Sequence, residues 1–218
     1  MKEIKVKITF IEELLGTASA NPEIHEEFIA SKAPDALSKK EEVEALGVEE
    51  VVEKSMTVFP RNSKGEPIIY DYQIRGHMKE SCGFLRKVKG SLSSNISAYK
   101  KEIDGLIFVK PRMIPIKFEG DITTCQRPLR AQTAQGERVA LANSEAIPAG
   151  ATAEFSVFLF KDSFEIKEGK EKKTVDEAEL VKEWLDYGEW HGLGQWRNSG
   201  KGAFVYEILE SEGKDSME

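Results

Sequence analysis

Two cysteines and three histidines in 218 residues are too few for a disulfide framework or a Cys/His zinc site. The most apolar stretch, residues 153–160, falls far short of the ~18 residues that span a bilayer. The first ten residues alternate charged with apolar side chains and lack the hydrophobic region of a signal peptide. Neither a Walker phosphate loop nor a Rossmann fingerprint is present, so no cofactor is expected. The acids are dispersed, with no metal constellation. These absences point to a soluble protein of a reducing compartment, expected in the cytoplasm. With 40% hydrophobic and 32% charged residues, the chain can fill a core, and wholesale disorder is excluded.

What is there is charge, unevenly placed. The net charge of -7 conceals an acidic residue 1–60 segment, with 7 Lys and no Arg against 13 acids. Residues 61–142 hold 8 Lys and 7 Arg against 8 acids, and residues 143–218 are acidic again. Arginine binds phosphate through a fixed fork and stacks on bases, so its concentration in the middle third fits a nucleic-acid footprint. Internal pairing of this basic stretch with the acidic flanks would account for it equally well.

Residues 2–10 read as a half-buried strand, with Ile4, Val6, Ile8 and Phe10 on one face. Residues 16–70 read as an acidic helical insertion, with one helix after Pro22 and another over 38–54. The spacing of Ile74, Met78, Cys82, Leu85 and Val88 predicts a helix over 73–89 that carries Arg75, Lys79, Arg86 and Lys89 on its flank. Strands are expected over 105–110 and 113–118, separated by Pro111 and Arg112, and a loop or hairpin insertion over 120–142. A turn at Gly150 leads into a strand over 152–160, and residues 161–173 read as a charged connection. Thr174 to Glu177 has the form of a capping box before a helix with Ala178, Val181, Trp184 and Leu185 on one face. A final strand follows over 204–208, and residues 211–218 read as a solvated tail. The order predicts an α+β fold over 1–210, a modified ferredoxin-like (RRM-like) sandwich with a helical insertion after its first strand.

Between the last helix and the last strand lie five glycines, two tryptophans, an arginine and a lysine within residues 187–204. Glycines let a backbone approach phosphate and turn its amides outward, and tryptophan stacks on bases. A structural glycine turn with the tryptophans packed in the core is the plainer alternative. The pattern Gly-x-Gly-x-x-Arg-x-x-Gly-x-Gly, filled by Gly192, Gly194, Arg197, Gly200 and Gly202, resembles the signature of the RAMP superfamily, the repeat-associated RNA-binding proteins of CRISPR systems. Residues 72–80 are similar to the start of that family's first helix, and residues 145–151 to its Pro-x-Gly turn. The resemblance implies binding of single-stranded RNA within a guide-RNA effector complex, with self-association, or in a solitary phage or mobile-element member. It carries over to Arg75, Lys79, Gly194, Arg197, Gly200 and Lys201.

The expected function is thus non-catalytic, sequence-independent binding of single-stranded nucleic acid, with RNA and DNA both open. Arg75, Lys79, Arg86, Arg112, Arg127 and Arg130 would form a phosphate track, and Trp196 with Gly194, Arg197, Gly200 and Lys201 would close over the strand. Binding should weaken steeply with salt, and Arg197→Ala should lower affinity without unfolding. Two alternatives remain: a protein-interaction or anti-defence factor acting through the acidic insertion, and a metal-independent endoribonuclease. For the latter His77 and His191 are the candidate general acids or bases, His191 standing next to the glycine-rich loop, with Asp71 and Asp121 more distant.

Overall fold

A computed structural model describes residues 1–20, 56–94, 96, 98–133, 136–161, 163–168 and 171–209. β1 (Lys2–Phe10) buries Ile4, Val6, Ile8 and Phe10, as its alternation requires. It lies inside the principal sheet, antiparallel to β10 (Thr152–Leu159) on one side and to β13 (Phe204–Leu209) on the other. β10 pairs on its far side with β6 (Ile107–Lys110) and then β7 (Met113–Lys117), and β5 (Ile68–Tyr70) closes the edge beside β7. Pro111, which has no amide to donate, falls in the break between β6 and β7.

One face of this sheet is covered by helices. α1 (Asp71–Leu85) follows β5 directly, and Gln73 reaches back to accept a hydrogen bond from the Tyr70 amide at 2.8 Å. α2 (Tyr99–Leu106) packs on α1 and leads into β6. α3 (Glu177–Asp186) packs on α1 and β13, and the short α4 (Gly188–His191) continues from it. Ile74, Met78 and Cys82 of α1 meet Leu180, Val181, Trp184 and Leu185 of α3 over the inward side chains of the strands. Burying each large apolar side chain contributes about 1.5–3 kcal/mol, so this layer is the main stabilising contact. Among the described residues no helix packs on the opposite face of the sheet, and the chain is an α+β sandwich in which two strand–helix–strand runs interleave in one antiparallel sheet.

A second ladder stands beside it. β8 (Thr123–Thr133) and β9 (Gly136–Ile147) form a long hairpin. The base of β9 pairs with β2 (Leu14–Leu15) and, at Ser144, with β4 (Thr57–Val58), which is bordered by β3 (Ala18–Ser19). Of the expected insertion, residues 16–20 and 56–70 are described: they carry β3, β4 and β5, and a turn at Asn62–Gly65 breaks the second stretch. The two stretches run so close that a Cβ on Gly16 would lie 2.5 Å from the Val58 carbonyl carbon. The helices expected after Pro22 and over 38–54 fall outside the described residues, as does the tail 211–218.

Three further expectations change. Residues 161–173 do not simply connect: β11 (Ser163–Glu168) and β12 (Glu171–Asp176) form a hairpin with little apolar sequence to announce it. Thr174 and Val175 belong to β12, and Asp176 caps α3 by accepting from the amides of Ala178 and Glu179. Finally, α1 ends at Leu85, leaving Val88 exposed.

Candidate nucleic-acid interface

The glycine-rich segment after α4 folds back on itself. The Leu193 amide donates to the Gly202 carbonyl at 2.9 Å, and the Gly202 amide donates to Glu13 at 2.8 Å, which closes the neck of the loop onto the residues after β1. Gly202 has φ +72°, and a Cβ there would lie within 1.8 Å of the Leu193 carbonyl oxygen. Only glycine fits. Gly194 backs onto the Leu15 carbonyl in the same way, whereas Gly200, at φ +84°, faces open space.

Within this frame the amides of Gly194, Gln195, Trp196, Arg197, Asn198 and Lys201 donate to no described residue. Successive free amides of this kind make a concavity for anions. Trp196 sits among them in the left-handed region (φ 56°, ψ 34°), a backbone conformation that is uncommon for a bulky residue. Its indole is 39% exposed. Behind it, the Arg127 guanidinium carbon lies 5.3 Å from the ring centroid. Arg127 is buried and donates to Gln195 Oε1 at 2.6 Å and to Ser144 Oγ at 3.4 Å. The hairpin thus holds one face of the indole.

Arg197 is occupied by the protein itself. Its Nη1 donates to Glu80 Oε2 at 2.6 Å and its Nη2 to Glu80 Oε1 at 3.3 Å. His191 Nε2 stands 3.0 Å from Arg197 Nη1 and 3.1 Å from Glu80 Oε1. Partial burial opposes ionisation of Glu80, but the hydrogen bonds from Arg197 and His191 outweigh it and hold the carboxyl below its usual range. Glu80, on the cationic flank of α1, is the group that sequence reasoning missed. Its position on the helix carries no sequence signal of a partner 117 residues away.

The other nominated residues divide. Lys201 pairs with Glu13 at 2.8 Å, Lys79 with Asp104 at 2.7 Å and Arg75 with Asp71 at 3.5 Å. Arg86 lies over the Tyr99 ring at 5.2 Å. Arg112 is exposed, and the Arg130 side chain lies outside the described residues. The structure therefore brings Gly194, Trp196, Arg197, Gly200, Lys201 and Arg127 to one loop, while Arg75, Lys79 and Arg86 stand along α1. Four of these eight cations have carboxylate partners: three of the acids, Asp71, Glu80 and Asp104, belong to the central segment, and Glu13 to the amino-terminal one. Between α1 and α2 opens a cleft of about 490 Å³, lined by Lys79, Glu80, Phe84, Lys87, Tyr99 and Lys100 among others.

Trp184 is in the core, but Trp190 is 78% exposed and Trp196 partly so, which removes the reading of a turn with all its tryptophans packed inside. His77 is a core residue whose Nε2 is 3.0 Å from the Trp184 carbonyl oxygen. Burial pushes its pKa down to about 4. Among the described residues no helix is long and apolar enough to cross a membrane.

No family model matches the chain, and no curated protein does. Among solved structures, a chain of a "Type IV-B CRISPR Complex" is similar at 11% identity and a TM-score of 0.47, covering 99% of this chain and 94% of that one.

Proposed function

We propose that the protein is a non-catalytic binder of single-stranded nucleic acid, RNA in the first place, acting as a subunit of a CRISPR-like or phage nucleoprotein complex. The carrying observation is the loop itself: a closed neck beyond which the amides of residues 194–198 meet no described acceptor, beside the partly exposed Trp196. The amides suit phosphate oxygens, and the free face of Trp196 suits a base. Neither contact reads sequence. The loop signature supports RNA and an effector complex. His191 shares one nitrogen between Arg197 and Glu80, which supports a bracing role over acid–base work.

The test is fluorescence anisotropy with a labelled single strand of about 20 nucleotides, as RNA and as DNA, in about 50 mM salt. Binding is expected, and Trp196→Ala should weaken it about tenfold, since stacking contributes about 1–3 kcal/mol per base. The strand should stay intact in chelator. Absence of binding to either strand, or cleavage abolished by His191→Ala, would overturn the reading.

A further inference from the structure

The open face of the principal sheet is divided in two. Toward the end where β1 meets the glycine-rich loop, its charges satisfy one another: Lys7 pairs with Glu207 at 2.9 Å and Lys117 with Glu154 at 3.7 Å. Toward the other end the composition changes. Phe158 stands directly across from Phe108, and Phe160 meets Phe108 edge to face with ring centroids 5.4 Å apart. Phe108 is 38% exposed and Phe160 59%. The next row across the sheet is Lys5, Ser156 and Lys110. Lys110 holds its ammonium 5.8 Å from the Phe158 ring centroid. Neither lysine has a carboxylate partner among the described residues, and Glu3, opposite Phe158, is the one acid in these two rows.

Three rings partly exposed to water, beside two ammonium groups with no described carboxylate partner, form an apolar patch with a cationic edge. An apolar protein surface would leave both ammonium groups unmatched, whereas bases with their phosphates engage the rings and both lysines together. We infer that this Phe108–Phe158–Phe160 face, flanked by Lys5 and Lys110, is a second contact for single-stranded nucleic acid on which bases stack. It lies about 23 Å along β1 from the loop, given the seven-residue separation of Glu3 and Phe10 and the rise of an extended strand. The inference rests on the nucleic-acid reading above and adds a base-dependent component at a separate place.

The experiment compares a uridine strand of about 12 nucleotides with an abasic strand of the same length, using wild type, Phe108→Ala/Phe160→Ala, Trp196→Ala and the combination. Both phenylalanines are exposed, so an unchanged thermal melt is the control for folding. Wild type should prefer the uridine strand by about tenfold or more. The double variant should lose a several-fold part of that preference, also in the Trp196→Ala background, with abasic binding unchanged. If Trp196→Ala has no effect and the phenylalanine variant does, the sheet face stands and the loop reading falls. If the phenylalanine variant prefers uridine as wild type does, the face is no base platform. If it binds like wild type but loses self-association in sedimentation, the face is an interface between copies, and the inference is overturned. Failure of wild type to bind either strand would remove the nucleic-acid reading and this inference with it.

Discussion

His77 and Arg197 show how the same residue types serve different ends once placed. An unfolded histidine titrates near 6.5, while His77, buried under α3, titrates at about 4. Between those values the unfolded chain takes up a proton that the native state refuses, so stability falls as pH drops from about 6.5 to about 4. The loss is up to about 3 kcal/mol, and above pH 6.5 the contribution is complete. Urea unfolding at about pH 7 and about pH 5 should show this slope, and His77→Gln should flatten it. Arg197 was legible as a loop cation but not as half of an ion pair, because Glu80 is remote in sequence. Its replacement by alanine removes a bidentate, part-buried pair and should cost about 1–3 kcal/mol of stability. Trp196 was legible by type alone; its Arg127 backing depends on where the 120–142 insertion, expected as a loop or hairpin, packs, which no local pattern announces.

Among elements, the glycine-rich loop yields the sharpest contrast. Gly202→Ala must displace the Leu193 carbonyl and open the neck, so a large loss of stability is expected, on the order of several kcal/mol. Gly200→Ala meets open space and bears only the positive-φ penalty, about 1 kcal/mol. Thermal melts of the two variants check this, and equal losses would contradict the described neck. Elements with a strong apolar period were readable: β1, β10, α1 and the buried side of α3 follow their spacing. Those without one were not. α2 offers only Tyr99, Ile103 and Leu106 at helical spacing, too short to stand out, and β11–β12 has no continuous apolar face. The start of α3 was misplaced because Thr174, read as the cap, lies within β12, and Asp176 at the end of that strand accepts from the first helical amides instead.

For the whole molecule, the alternation of acidic and basic thirds suggested a long phosphate track, and the folded arrangement breaks it into paired cations. Log affinity should therefore fall with log salt by a slope equivalent to about one to three phosphates, measured between about 50 and about 500 mM, and not the steep fall that six free arginines would give. A slope near −5 would mean that the ion pairs open on binding. The helices on one face and the open sheet on the other follow from strand order, which periodicity cannot supply: β1 pairs with strands that begin at Thr152 and Phe204. That pairing has a kinetic side. At about 5–20 residues per second, a ribosome needs roughly 10–30 s after completing β1 to deliver its first partner. During that interval Ile4, Val6, Ile8 and Phe10 form an apolar strip without a sheet, and the loop neck, which needs Gly202 to meet Glu13, does not yet exist. The nascent chain must be shielded by other hands before it can hold anything itself.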